Sequence, residues 1–193
     1  MDIAGDFSAY RASERLVDGR ELLIRAVTPA DREALRSGFA RLSPDSVYFR
    51  FLGARRVLTE HELDFLTSPD FRSHVAIGAE LREDGRLLPV GVARYIGGEP
   101  AQGDSPEFAV AVDETHHGLG IGTLLLKHLA LIARAQGHRS LQGTVLAGNH
   151  EMLDVIAHLA ERAGIAHREH GGDGVVAVQL DLAGPAAGTP GGQ

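Results

Sequence analysis

The segment from Glu107 to Thr123 constrains the chain more than any other part of its sequence. The run EFAVAV at 107–112 alternates in the manner of a strand, and the polar residues DETH at 113–116 follow it as a turn. Glycines at 118, 120 and 122 then lead into the apolar helical run LLLKHLALIA at 124–133. A glycine turn between a strand and a helix directs main-chain N–H groups and the positive end of the helix dipole at one point. The sequence therefore predicts a site for a phosphate-bearing ligand at residues 117–123.

The spacing of these glycines separates the site from two common phosphate loops. A Walker loop closes on Gly-Lys-Ser/Thr, whereas Thr123 and Leu124 follow the last glycine here. A dinucleotide-binding fingerprint needs G-x-G-x-x-G and an acidic residue about 20 positions later, and the chain has neither around Leu146 and Ala147. The pattern that remains is a polar residue followed by x-x-Gly-x-Gly.

This pattern, His117-Gly118-Leu119-Gly120-Ile121-Gly122, resembles the acyl-CoA pyrophosphate loop of the GNAT acetyltransferase superfamily, Gln/Arg-x-x-Gly-x-Gly/Ala. The resemblance implies that acetyl-CoA is the ligand and that His117 to Thr123 bind it, mostly through main-chain amides. His117 stands where the family carries Gln or Arg, so we expect it to weaken or alter the affinity of the site for its ligand but not to abolish binding. The structural alternative is a glycine-capped helix without a ligand.

The remaining elements fit the same fold class. Strands and helices follow in the order β-α-α-β-β-β-α-β-α-β-β, with Thr28-Pro29-Ala30-Asp31 as a helix start and Asp84-Gly85 as a hairpin turn. This order resembles the GNAT fold, an α/β (α+β) architecture with a mixed, mostly antiparallel sheet of six to seven strands flanked by helices. We expect the domain to span residues 20–182, between a flexible segment at 1–19 and a disordered tail at 183–193.

The resemblance assigns roles to four more residues around the glycine turn. In the family a bulge separates the strand before the turn from its neighbour, which implies that the main chain of Val110, Ala111 and Val112 binds pantetheine and polarises the thioester. The alternative is an ordinary paired core strand. Asn149 matches an Asn that reaches the pantetheine arm, but Asn is also a favoured helix N-cap, and both roles are compatible.

Glu107 is the candidate general base. It begins the strand on the face opposite Phe108, and the run PEFAVAVD at 106–113 resembles bacterial Pat-type protein-lysine acetyltransferases, in which a strand Glu acts as base. The run LSPDSVYFRF at 42–51 resembles their substrate-side helix. Glu114 is the second candidate, and a solvated strand-end carboxylate is the structural alternative. No tyrosine occurs from Asn149 onward, so no leaving-group acid is assigned.

Composition narrows the class of partner. A formal charge of −7 argues against nucleic acid and favours cationic acceptors. The chain has no cysteine and no apolar run near 18–20 residues, so we expect a cytoplasmic protein without a membrane partner. Its 10 histidines lack the spacing of a ligand motif, and we expect no metal.

The sequence thus predicts an acetyl-CoA-dependent N-acetyltransferase acting on a primary amine, above all a protein lysine. Two alternatives stay open: an enzyme for small amines, and a non-catalytic acyl-CoA sensor that signals to a partner. Whether the chain pairs as a homodimer is also open.

Overall fold

The structure is a computed structural model that describes residues 6–41, 58–98, 100, 103–172 and 174–182. The run at 42–51 that resembles a substrate-side helix and the tail predicted at 183–193 lie outside these residues. Within the described residues no helix is long and apolar enough to cross a bilayer.

The described residues form one sheet of eight strands with four α-helices on its faces. The strands are β1 (Arg11–Arg15), β2 (Glu21–Ala26), β3 (His74–Glu83), β4 (Arg86–Ile96), β5 (Glu107–Val112), β6 (Ser140–Leu146), β7 (Ala166–Gly172) and β8 (Val175–Asp181). The helices are α1 (Arg32–Arg41), α2 (Glu60–Thr67), α3 (Ile121–Ala135) and α4 (His150–Ala163), and short 3₁₀ turns span Phe7–Ala9, Pro29–Asp31 and Glu114–His116.

The strand order is β1-β2-β3-β4-β5-β6-β8-β7. Every neighbouring pair is antiparallel except β5 and β6, which run parallel and are joined through α3. A parallel pair needs such a crossover because the chain must return to the same end of the sheet. The mixed, mostly antiparallel sheet predicted from sequence is therefore confirmed, and the parallel step falls at the strand that precedes the glycine turn.

The sheet has eight strands, not six to seven. The additional strand is β1, which pairs with β2 inside the segment that the sequence pattern placed outside the domain. Its residues RASER show no apolar alternation, and polar contacts hold it to α3. The Glu14 carboxylate accepts hydrogen bonds from Lys127 Nζ at 2.7 Å and His128 Nε2 at 2.8 Å, and the Tyr10 hydroxyl lies 2.5 Å from His128 Nδ1.

Two helix starts on the N-terminal side have capping boxes, and the first is the start predicted at Thr28-Pro29-Ala30-Asp31. Thr28 and Asp31 form a capping box at the turn before α1, and Thr59 and Glu62 form a second at the start of α2. In each box the acidic side chain accepts from the N-cap main chain, which satisfies a donor that the helix itself leaves without a partner. These caps orient α1 and α2 over the same face of the sheet.

The sheet has an apolar layer on each face. On one face α3 and α4 pack Leu125, Leu129 and Ile156 against Phe108 and Val110 of β5. On the other face the smaller layer contains Phe39 of α1, Leu63 and Leu66 of α2, and Ala111 of β5. Strand β5 therefore contributes alternate residues to both layers, and its two faces look into different parts of the protein.

A buried polar contact fixes the end of α2 to the sheet. Arg94 Nη1 donates to the Leu66 carbonyl and to His74 Nε2, each at 3.3 Å, and the His74 ring stacks on Phe65 with centroids 4.7 Å apart. Because a guanidinium only donates, His74 Nε2 must be an acceptor and the ring must be neutral. Burial, reinforced by the neighbouring Arg94 charge, lowers the pKa of His74 to about 4.

We expect this histidine to make stability pH-dependent. The unfolded chain protonates His74 near its ordinary pKa of 6.5, whereas the folded protein does so only near 4. The stabilisation that neutral His74 gives to the folded protein is complete above about pH 6.5. The free energy of unfolding then falls by up to about 3 kcal/mol as pH drops toward 4. Urea unfolding of the wild type and His74→Gln, which keeps an acceptor, measures this. Equal slopes for the two proteins between pH 4 and pH 6.5 would contradict it.

Candidate functional site

Strands β5 and β6 separate soon after they meet. Among the described residues their ladder is registered only at Glu107 and Gln142, where the Gln142 N–H donates to the Pro106 carbonyl at 3.0 Å. On its other side β5 stays in unbroken register with β4 from Glu107 to Val112. The separation that the family resemblance implies is therefore present. The bulge is elsewhere, because the register irregularity lies between β3 and β4 at Ala79 and Glu80.

The alternation of the β5 main chain determines which groups face the gap. Successive residues of a strand direct their N–H and C=O groups to opposite sides. Asp113 donates to Val90 of β4 at 2.9 Å, and Pro106 accepts from β6, so the main-chain groups of Val110 and Val112 point toward the gap. Those of Ala111 point toward β4. The structure thus brings two of the three predicted main-chain sites to the gap and directs the third away from it.

A groove of about 1180 Å³ begins at this gap. It runs between the start of α3 and the start of α4. Its lining includes nearly every predicted cofactor-binding residue: Val110, Ala111, Val112, His117, Gly118, Gly120, Ile121, Gly122, Thr123 and Asn149. Leu119 does not line it and packs instead against the apolar core. The groove therefore gathers distant parts of the sequence at one surface.

The glycine turn forms the end of the groove at α3. Gly118 and Gly120 have φ angles of +74° and +80°, a region that favours glycine, and Gly120 is the N-cap of α3. The next three residues, Ile121, Gly122 and Thr123, form the first turn of the helix, whose N–H groups have no partner inside it. This turn places donors and the positive end of the dipole at the groove, as a phosphate requires.

Asn149 bounds the groove at the start of α4. Its Oδ1 accepts from the Met152 N–H at 3.0 Å, so the residue is the N-cap of that helix. It also lines the groove. The capping role is confirmed, and the role toward pantetheine stays a prediction.

His117 spans the mouth of the groove. Its Nε2 lies 3.0 Å from the Val112 carbonyl, and its Nδ1 lies 2.6 Å from Glu151 Oε2 on the first turn of α4. The ring therefore contacts both β5 and α4. Glu151 was not singled out from sequence, because an exposed acidic residue in a first helical turn is ordinary.

A second, narrower cavity of about 90 Å³ lies on the opposite face of β5, under α1. We call it the slot. Its walls are mostly small and apolar: Val27, Ala34, Leu35, Gly38, Phe39, Gly78, Ala79, Pro89, Val90, Gly91, Val92, Ala111 and Val112. Ala111 and Val112 line both the slot and the groove. The two cavities therefore share a wall at the end of β5.

Ion pairs border the slot. Arg25 Nη2 lies 2.6 Å from both Asp31 Oδ1 and Glu80 Oε1. Burial alone would raise the pKa of Asp31, but hydrogen bonds from Arg25 and the Thr28 amide outweigh it and lower the pKa below its usual range. Arg25 and Asp31 therefore remain charged at neutral pH and compensate one another.

Asp113, which follows β5, and Arg41, at the end of α1, form another ion pair at the slot. Arg41 Nε donates to Asp113 Oδ2 at 3.0 Å. Burial works to raise the pKa of Asp113, but hydrogen bonds from Thr115 and Arg41 are stronger and lower it. Sequence reasoning did not select this residue. A carboxylate with a lowered pKa is a weak base, so its arrangement suits a structural role at the turn.

The two candidate bases occupy different places. Glu107 lies at the exposed start of β5, where the ladder with β6 is still closed, and it lines neither cavity. It shares a strand face with Ala109 and Ala111, the face that looks toward α1. Glu114 lies in the turn after β5 and lines the groove. Glu107 is thus on the side of the slot, and Glu114 is on the side of the groove.

Comparison with known proteins gives one consistent result. The family model described as "Acetyltransferase (GNAT) family" matches residues 38–162. The chain is 36% identical to Acetyltransferase PA5475 of Pseudomonas aeruginosa over 76% of its own length and 77% of that protein. It is 28% identical to Acetyltransferase Pat of Mycolicibacterium smegmatis over 73% of its length, a match that spans 41% of that longer protein. Among solved structures, the GNAT domain of S. lividans PAT superposes with a TM-score of 0.73 at 29% identity, covering 89% of this chain and 96% of that one.

We expect a negative charge in the first turn of α3 to abolish tight binding of CoA. Thr123→Glu places a carboxylate where the phosphates are predicted to bind, yet Glu suits this helix position. The affinity should fall at least ~10-fold, which corresponds to ~1.4 kcal/mol. Thr123→Gln, of the same shape without the charge, is the control and should bind within about threefold of the wild type. Calorimetry with CoA measures both, and an unchanged affinity in a folded Thr123→Glu protein would refute the site.

Proposed function

The chain belongs to the GNAT family of acetyltransferases, and from that premise we propose that it transfers the acetyl group of acetyl-CoA to the side-chain amine of a protein lysine. The observation that carries the proposal is that the groove and the slot share Ala111 and Val112 as lining residues. Two substrates bound on opposite faces of β5 come closest to each other at these residues.

The residues of the groove fit acetyl-CoA. The first turn of α3 offers main-chain donors for a pyrophosphate, and the main chain of Val110 and Val112 faces the gap, where an amide-containing arm can pair as a missing strand would. Acetyl-CoA supplies an activated thioester when bound. An N–H of β5 directed into the gap is then the donor for the oxyanion that forms on the thioester carbonyl.

The shape of the slot supports a slender aliphatic acceptor. It is narrow, apolar through its middle and bordered by charged groups, which suits an unbranched methylene arm that carries an amine. The chain's net charge of −7 attracts a cationic substrate. The resemblance of residues 106–113 to Pat-type enzymes favours a protein lysine among such amines.

Glu107 is the proposed general base. A lysine amine is protonated at neutral pH, so it must lose a proton before it can attack. Glu107 faces the acceptor side of β5, but Val110 lies three positions further along the strand, or about 10 Å away at the rise of a strand. We therefore propose that the first ammonium proton reaches its carboxylate through water. The amine nitrogen then attacks the thioester carbon, the C–S bond breaks to release the thiolate, and the second N–H proton passes to water as the amide forms.

An acetyl-transfer screen tests the proposal directly. The wild type is incubated with acetyl-CoA and, in separate reactions, a panel of folded proteins, lysine peptides, polyamines and amino acids, and released thiol is measured. Turnover with lysine side chains well above that with free amines supports the proposal. Preference for polyamines would assign the slot to a small acceptor. CoA binding without any turnover would indicate a sensor.

We expect Glu107→Gln to lower turnover on an accepted substrate by about 10²–10⁴ while acetyl-CoA still binds. The loss should shrink as pH rises, because free amine then forms without a base. Glu114→Gln is the matched control and should keep near-normal turnover. Steady-state rates from about pH 6 to about pH 9, with calorimetry for binding, separate the two effects. Near-normal turnover of Glu107→Gln across this range would remove it from the mechanism.

A larger side chain in the slot should hinder binding of the amine acceptor and leave binding of acetyl-CoA unchanged. Gly38 lies on α1 at the slot, and a Cβ there meets no heavy atom of the described residues within 4 Å. Gly38→Leu should lower kcat/KM for the amine at least ~10-fold, or ~1.4 kcal/mol, with unchanged affinity for CoA. Gly38→Ala tests the effect of removing the glycine alone. Its kcat/KM should stay near that of the wild type, and its helix should be more stable by about 0.5–1 kcal/mol. Equal kcat/KM values for Gly38→Leu and Gly38→Ala would show that the acceptor does not use the slot.

A further inference from the structure

Each ring nitrogen of His117 lies close to an oxygen of another element. Val112 offers a carbonyl oxygen at 3.0 Å from Nε2, and Glu151 offers a carboxylate oxygen at 2.6 Å from Nδ1. Neither oxygen can donate, so both contacts are favourable at once when the ring carries hydrogen on both nitrogens. In that form the charge of the ring lies between β5 and α4, across the mouth of the groove.

Basic side chains are few in the groove, so the His117 ring matters for the binding of an anionic ligand. Among the described lining residues there is no lysine or arginine. The basic side chains are four histidines, and the acidic ones are three carboxylates: His116, His117, His150 and His158, with Glu114, Glu151 and Asp154. A ligand with several phosphates therefore meets a groove in which carboxylates compete with it for the few basic side chains.

The neighbouring histidines are placed differently. His116 Nδ1 lies 2.9 Å from Thr115 Oγ1 and 3.7 Å from Asp113 Oδ1, so it is tied to its own turn. His158 Nδ1 lies 2.8 Å from the Asp154 carbonyl, within α4. His117 is the ring that both lies at the phosphate turn and holds a carboxylate from another element. Asp154 lies one turn further along α4 and lines the same groove.

We propose that Glu151 competes with a phosphate of CoA for His117, so that this carboxylate sets the affinity of the site for its donor. The inference rests on the proposed function, because it takes CoA as the ligand of the groove. Binding is then an exchange of anions on one imidazole: the phosphate replaces the Glu151 carboxylate at Nδ1, and the Glu151 side chain rotates toward solvent. Glu151 is mostly exposed, with 71% of its side chain accessible, so this rotation has little steric cost.

The exchange predicts tighter binding when the competitor is removed. Glu151→Gln should strengthen CoA binding about threefold to fivefold, the size expected for one exposed ion pair. Asp154→Asn is the matched control, since it removes the same charge from the same groove without touching His117, and it should change affinity less than about twofold. Calorimetry with CoA alone measures both variants, and thermal unfolding checks that both are folded.

Coupling to His117 is the decisive measurement. In a His117→Ala background, Glu151→Gln should strengthen binding no more than Asp154→Asn does, because the carboxylate then has no ring to occupy. The proposal would be overturned if Glu151→Gln and Asp154→Asn changed the CoA affinity by the same factor both with His117 and in the His117→Ala protein. Weaker CoA binding by Glu151→Gln would also overturn it. Either result would leave the proposed function intact. Absence of CoA binding by the wild type would overturn both.

Discussion

The site depends on the loss of pairing between two adjacent strands. Every main-chain N–H and C=O in a sheet needs a partner, and a neighbouring strand normally supplies it. Beyond Glu107, β6 no longer pairs with β5, so the groups of Val110 and Val112 face a gap. The His117 ring bonds one of them, the Val112 carbonyl. A strand edge of this kind, inside a sheet rather than at its border, is a place for an extended ligand to pair.

The gap is held open by two continuous half-sheets. On one side β5 is registered with β4 along its whole length, and on the other β6 is registered with β8 from Ser140 to Leu146. Neither strand is frayed, because each has a full ladder on its outer side. The starts of α3 and α4 border the space between them. The opening is therefore part of the architecture, and it can carry precise hydrogen bonds without the cost of ordering a loop.

The parts of the fold that sequence predicted are those with local chemistry. The glycine turn, the helix start at Thr28 and the Asn149 cap each depend on a few neighbouring residues, so a local pattern reveals them. Strand β1 was missed because its contacts to Lys127 and His128 are distant in sequence and polar. The slot and the His117–Glu151 contact were missed for the same reason, since each forms only when separate elements pack together.

The arrangement of the two cavities favours direct transfer under the proposed function. The groove and the slot lie on opposite faces of one strand and share Ala111 and Val112 as lining residues, so donor and acceptor can be bound at the same time. An acyl-enzyme route would need a nucleophilic side chain at this shared wall. The chain has no cysteine, and the two shared residues have only hydrocarbon side chains. With both substrates held there, proximity supplies much of what a covalent intermediate would otherwise provide, and the remaining tasks are removal of the amine proton and stabilisation of the oxyanion.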